Sequence, residues 1–244
     1  AQEQLKKSGV ITELVEDEGR PTTVKQRFRS KGKTLFRVSH LHQTAISLAL
    51  QKHILEKIES IIDKVDLLVF SDFNYGCLPQ ALVEKIISLA KSHNVMLAAD
   101  SQSSSQIGNI SRFSGMDLLT PTEREARIST RNSEDGLVVL AEQLRNQSSA
   151  KNIILKIGEE GVLIHASDSN SSDGWVTDRV DALNLSPKDV AGAGDSLLIS
   201  SALTLAAGGD IWEATLIGSI AAAIQVGTVG NTPLQKGELL KELS

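Results

Sequence analysis

The chain has 244 residues, 41% of them hydrophobic and 23% charged, with a formal net charge of −5. It is long enough to bury a substantial core, and its acidic balance offers no electrostatic footprint for nucleic acid. The single cysteine, Cys77, excludes an intrachain disulfide and suits a reducing compartment, so a cytoplasmic chain is expected. Lys6 and Lys7 are followed by no apolar run, so no signal peptide is expected. The apolar region 197–226 is broken by Gly208, Gly209, Asp210 and Glu213, which makes it two buried helices and not a membrane span.

In chain order, residues 1–9 read as the end of a helix capped by Gly9. Residues 22–39 alternate through Thr22, Val24, Gln26 and Phe28, then Leu35, Arg37 and Ser39, around Lys31-Gly32-Lys33; this is the pattern of a β-hairpin. Its Lys25, Arg27, Arg29, Lys31, Lys33 and Arg37 make either a cationic flap over an anionic substrate or the solvated face of an edge hairpin. Ile46, Leu50, Ile54, Ile58 and Ile61 predict a helix over 43–63. The run 66–70 predicts a buried parallel strand, with the polar 71–76 loop at its C-terminal end, where open α/β sheets bind ligands. Pro79 starts a helix to Ser92, and a strand over 95–99 ends in Asp100. After a polar loop at 101–112 come a third strand (117–120), a helix opened by Pro121 (122–128) and another over 134–146.

A fourth strand over 152–156 turns at Gly158-Glu159-Glu160-Gly161 into an antiparallel one over 162–165. A polar loop at 167–174 follows, then the segments 175–179 and 180–185. Beyond an apolar helix from about residue 197, Gly208-Gly209 breaks the chain; a helix over 211–225, a small-residue loop at 226–233 and a last helix complete it. Strands alternating with helices predict an α/β chain with a mostly parallel, doubly wound sheet. A single domain over 1–244 is expected, with 22–39 as its flap. His40, His42, His53, His93 and His165 show no metal spacing, and Trp175 and Trp212 are expected in the core.

The most informative stretch is Asp189-Val190-Ala191-Gly192-Ala193-Gly194-Asp195-Ser196, which runs directly into an apolar helix. Glycines let backbone N–H groups crowd together, and a helix start adds unpaired donors, so the stretch can cradle an anion such as phosphate. A carboxylate at the mouth of such a socket suits a general base for an attacking hydroxyl. The alternative is a glycine-rich turn whose Asp195 caps the helix.

That run resembles the signature of the PfkB (ribokinase-like) carbohydrate kinases. Gly158-Glu159-Glu160-Gly161 resembles the family's Gly-x-x-Gly turn, Thr120-Pro121-Thr122-Glu123-Arg124-Glu125 its Thr-Pro-Asn-x-x-Glu element, and Gly227–Pro233 the loop that closes its nucleotide pocket. Within the family the chain is most similar to bacterial heptose-phosphate kinases, the sugar-kinase half of ADP-heptose synthesis enzymes. Thr22-Thr23, Lys25, Arg27 and Phe36-Arg37-Val38 resemble their flap, and Ser71-Asp72-Phe73 their Ser-Asp-Tyr stretch.

The resemblance implies a ribokinase-like three-layer α/β/α sandwich with a small β flap. It implies ATP-dependent phosphoryl transfer to a sugar or sugar phosphate. Asp195 would be the base, and Gly192, Ala193 and Gly194 the anion hole. Lys156, Gly158, Gly161, Gly227 and Asn231 would meet the nucleotide. Glu125, with Thr122, would organise Mg²⁺ through water, unless Glu125 is a helix surface charge. Asp189 and the Ala191 carbonyl, with the 226–231 loop, would hold a monovalent cation such as K⁺, unless Asp189 only braces the turn. Asp72, Asn74, Arg27 and Arg37 would face the sugar phosphate. In relatives the flap covers the sugar and meets its twin, which implies a homodimer through 22–39.

The chain departs from the pattern in several places. Thr122 stands where the motif usually has Asn, Asp100-Ser101-Gln102 where heptose kinases have Asp-Pro-Lys, and Lys156 where relatives place a small polar residue. The family's first strand, substrate Asp and Gly-Gly-Asn segment precede the point where this sequence begins, so an N-terminally truncated domain is expected. Two functional classes follow: a sugar or sugar-phosphate kinase, favoured by the Asp195 motif, and a non-catalytic relative binding nucleotide or a partner chain, favoured by Thr122 and the missing front.

Overall fold

A computed structural model describes residues 2–30, 33–102, 108–230 and 232–243. α1 (Gln2–Lys7) ends at Gly9, whose φ of +74° suits its cap position. β1 (Val24–Ser30) and β2 (Lys33–His40) form an antiparallel two-stranded sheet, with Val24 opposite His40 and a bulge at Phe28/Arg29. Phe28 and Phe36 stack across it with ring centroids 4.3 Å apart. Lys25 anchors the hairpin to the body by lying over the Phe73 and Tyr75 rings, 5.4 and 5.1 Å from their centroids.

α2 (Leu48–Glu59) is shorter than the periodicity predicts. Ser47 caps it by accepting the Leu50 N–H, and the preceding chain is drawn away because Ile46 N–H donates to Gly76 O. β3 (Leu67–Asp72), α3 (Gln80–Ser92), β4 (Met96–Ser101), β5 (Leu118–Leu119), α4 (Glu123–Thr130), α5 (Leu137–Ser148) and β6 (Asn152–Lys156) alternate as expected. β3, β4, β5 and β6 are parallel neighbours in that order, and β7 (Val162–Ser167) and β8 (Trp175–Val180) extend the six-stranded sheet antiparallel. β3 lies at the sheet's edge among the described residues, so it is less buried than its apolar run predicts; only Phe70 and Asp72 are buried in it. The segment 181–185 is not a strand: the chain leaves the sheet at Val180.

α6 (Ala193–Ala206) and α7 (Ile211–Val226) pack against each other, and α8 (Lys236–Glu242) follows. Side-chain alternation divides the core into two layers. Leu97, Ala99, Leu119, Ile153 and Leu155 face α2–α5, while Ala98, Leu118, Ile154 and Ile164 face α6 and α7. Helices on both faces of a mostly parallel sheet make the α/β/α sandwich expected from the sequence.

One expectation fails. Trp212 is not core: it is 41% exposed and its Nε1–H donates to Asp178. His165 is fully buried and tilted against Trp175 with centroids 4.8 Å apart. Cys77 is exposed. Among the described residues no helix is long and apolar enough to cross a membrane, and no cluster of three or more His, Cys, Asp or Glu could hold a metal ion.

Candidate active site

The C-terminal ends of the parallel strands meet the N-terminus of α6 at one edge of the sheet. Gly192 is the N-cap of α6 with φ +84°, a conformation that favours glycine, and the first helical N–H groups behind it have no intrahelical acceptor. Asp195 lies in the first turn, exposed, and its carboxylate has no hydrogen-bond partner among the described residues. The helix dipole favours negative charge at this end. The Asp189–Asp195 run thus has the geometry that suits an anion socket, with a carboxylate at its rim.

The 188–191 loop is tied to the end of α7, since Lys188 and Asp189 N–H groups both reach Val226 O at 2.8 and 3.2 Å. Asp189 Oδ1 accepts the Ala191 N–H at 3.2 Å, which braces the turn. Gln225, 3% exposed, places Nε2 at 3.4 Å from both Ala191 O and Gly230 O. The sequence implied a monovalent cation near these carbonyls. They do converge, but on an amide donor, so the side chains as placed do not fit a cation there.

A cavity of about 530 Å³ opens beside the socket, with Leu183, Leu185, Val190, Ala222 and Val226 among its walls and Gly194, Lys156 and Gly158 at its polar end. An apolar slot leading into an anion socket suits a nucleotide: base in the slot, phosphates at the glycines. Gly161, at φ +92°, holds the wall in place, because a Cβ there would lie 2.1 Å from Val180 O. Gly227 caps α7, where a Cβ would stand 3.2 Å from Asn184 Nδ2. Asn231 lies outside the described residues.

Thr122 and Glu125 form a capping box on α4: Thr122 Oγ1 accepts the Glu125 N–H at 3.2 Å, and Glu125 Oε2 accepts the Thr122 N–H at 2.8 Å. Glu125 is 7% exposed, which removes the surface-charge alternative. The carboxylate of Asp100 is also buried and within electrostatic reach of Glu125. Burial pushes the Asp100 carboxyl above the usual range, Lys156 opposes the shift, and Glu125 adds to it. The Glu125 carboxylate is a hard oxygen donor, which fits Mg²⁺ held through water.

At the end of β3, Asp72 and Asn74 are held in a hydrogen-bond network. Asp72 Oδ2 pairs with Arg112 Nη2 at 2.7 Å, and Asp72 Oδ1 accepts the Asn74 N–H at 2.9 Å. Asn74, at φ +58°, donates through Nδ2 to Ser101 Oγ and Gln102 O at 3.0 and 2.7 Å. Arg27 and Arg37 are register partners across the hairpin; their side chains lie outside the described residues. Sequence reasoning missed Arg112, Gln225 and the role of Asp100. Only Asp100 carried a signal, as a polar residue at the C-terminal end of a parallel strand.

A family model described as pfkB family carbohydrate kinase matches residues 1–236. The chain is 28% identical over 243 residues to the bifunctional protein HldE of Helicobacter hepaticus, covering 98% of this chain and 48% of that protein. It thus spans about half the length of the curated relatives it matches. Among solved structures, ribokinase from Giardia lamblia matches with a TM-score of 0.75 at 20% identity, over 99% of this chain and 77% of that one. Phosphofructokinase-2 from Escherichia coli in complex with potassium matches with a TM-score of 0.68 at 18% identity, over 84% of this chain and 65% of that one. The solved structures establish the ribokinase-like fold, and the family match over most of its length places this chain in the pfkB family of carbohydrate kinases.

Proposed function

We propose that this chain transfers the terminal phosphoryl group of ATP to a hydroxyl of a sugar phosphate, with heptose 7-phosphate as the acceptor. The observation that carries the reading is the apolar slot running into the Gly192–Gly194 socket with Asp195 exposed at its rim. ATP fits base-first, and its terminal phosphoryl group then faces the socket N–H groups, beside the turn at Gly158 and Gly161. The acceptor approaches from the Asp72–Asn74 side, with Arg27 and Arg37 of the flap for its phosphate. As the sugar oxygen attacks phosphorus, its O–H bond breaks and the proton passes to Asp195. The new O–P bond forms while the bond to the bridging oxygen breaks, and that electron pair leaves with ADP.

Positioning and electrostatics supply most of such a rate enhancement. Mg²⁺, when bound with ATP, neutralises phosphate charge, and Glu125 with Thr122 would hold it through water. K⁺ has no role in this reading, because Gln225 supplies the donor between the two carbonyls. The exposed Phe28, Leu35 and Phe36 of the flap support a homodimer through 22–39 in a cytoplasmic enzyme. Light scattering checks the dimer: a monomer at micromolar concentration contradicts it.

The test of function is ADP release with a panel of sugars and sugar phosphates. General-base assistance is worth about 10²–10⁴-fold, so Asp195→Asn should lose that much turnover while still binding ATP. If no acceptor stimulates ADP release above the Asp195→Asn level, the reading fails.

A further inference from the structure

One ion pair lies under the anion socket. Side chains alternate along β4, β5 and β6, and Ala98, Leu118 and Ile154 all face α6. The same alternation puts Asp100, Thr120 and Lys156 on that face, at the strand ends beneath the start of α6. Lys156 Nζ donates to Asp100 Oδ2 at 2.8 Å, and the two side chains are 16% and 8% exposed. A Cβ built on Gly194 would stand 3.3 Å from that ammonium and 4.0 Å from that carboxylate. The Thr120 hydroxyl is buried, with no hydrogen-bond partner among the described residues.

A phosphoryl group entering the socket would meet the carboxylates of Asp100, Glu125 and Asp195. An ammonium has three donors, and Asp100 accepts only one of them. The others can serve a phosphate oxygen without breaking the pair. We propose that Lys156 is the cation this chain supplies to the terminal phosphoryl group of the nucleotide, and that Asp100 positions it there. The inference deepens the phosphoryl-transfer reading and rests on it. The Lys156 charge offsets the acidic surroundings of the socket, and a charge-assisted bond from this largely buried ammonium to phosphate is strong.

The test is nucleotide binding by calorimetry on the full chain, comparing AMP with the non-hydrolysable triphosphate AMP-PNP. Lys156→Met should weaken AMP-PNP about 10- to 100-fold while leaving AMP within about twofold, since AMP carries no terminal phosphoryl group. Lys156→Arg should restore most of the difference. Asp100→Asn should weaken AMP-PNP in the wild-type chain but add nothing in the Lys156→Met background, because a positioning residue acts only through its partner. If Lys156→Met does not fold with Asp100 left unpaired, Asp100→Asn/Lys156→Met removes both charges and should show the same altered ratio.

Equal losses for AMP and AMP-PNP, or none, would overturn the inference and leave Lys156 a structural residue. Binding needs no acceptor sugar. The predicted ratio without transfer to any sugar overturns the kinase reading alone; transfer with an unchanged ratio overturns this inference alone.

Discussion

Gly161→Ala tests the wall of the nucleotide slot, with Gly158→Ala as its control. Both glycines have positive φ, +92° and +65°, so either alanine pays a backbone cost of about 1–2 kcal/mol. The sites differ in what the new methyl meets. At Gly158 nothing lies within 4 Å, whereas at Gly161 it falls 2.1 Å from Val180 O and 2.7 Å from Ala182 N and Asp181 C. Those are backbone atoms with no side-chain freedom to yield, so the end of β8 must shift, at a further cost of about 1–3 kcal/mol for overpacking. Each kcal/mol lowers Tm by about 2–4 °C in a chain of this size, so Gly161→Ala should melt about 4–20 °C below wild type. Gly158→Ala should lose about 2–8 °C. Ala182 and Leu183 line the slot and move with that strand end, so Gly161→Ala should also weaken ATP binding. Thermal melts and calorimetric titration with ATP read both effects. Equal Tm shifts for the two variants would refute the packing argument.

Further predictions follow from buried charge and from the converging carbonyls. Arg112→Met strands the Asp72 carboxylate, only 4% exposed, and should cost about 3–5 kcal/mol by urea unfolding, with Asp72→Asn/Arg112→Met recovering much of it. Arg145 holds the Glu142 carboxyl down to about 2 from 4.5. Its contribution is therefore complete above pH 4.5 and is lost as pH falls toward 2, and Glu142→Gln should flatten that window. Burial lowers the His165 imidazole below 6.5. The unfolded chain takes up that proton first, so stability falls as pH drops through 6.5, and His165→Gln should remove this slope in Tm. The wild-type rate should not respond to replacing Na⁺ by K⁺; Gln225→Ala frees the Ala191 and Gly230 carbonyls and should make the rate K⁺-dependent.

Local physics made much of the fold readable. β6 falls where its apolar run predicts, because Ile153, Ile154 and Leu155 are buried on both faces of the sheet. The same chemistry closes α4, where Thr122 and Glu125 satisfy each other's backbone donors three residues apart. The glycine run before α6 declared its own backbone requirement at Gly192. What escaped was contact between distant residues. The helical periodicity before Ser47 lost to a hydrogen bond from Ile46 to Gly76, and no local pattern announces 181–185 as a pocket wall. Lys156 was legible as a departure, but its partner Asp100 is 56 residues away. The pair of Asp72 with Arg112, 40 residues on, has no local sequence signal either.

In the proposed reaction Asp195 takes the proton of a sugar hydroxyl as its oxygen attacks phosphorus held at Gly192–Gly194. This step is tested most directly by ³¹P NMR of the full chain incubated with ATP, Mg²⁺ and heptose 7-phosphate. A new sugar phosphoester should appear in step with ADP, slowed about 10²–10⁴-fold in Asp195→Asn at unchanged ATP affinity. ADP without a new phosphoester, or transfer at the wild-type rate in Asp195→Asn, would contradict it.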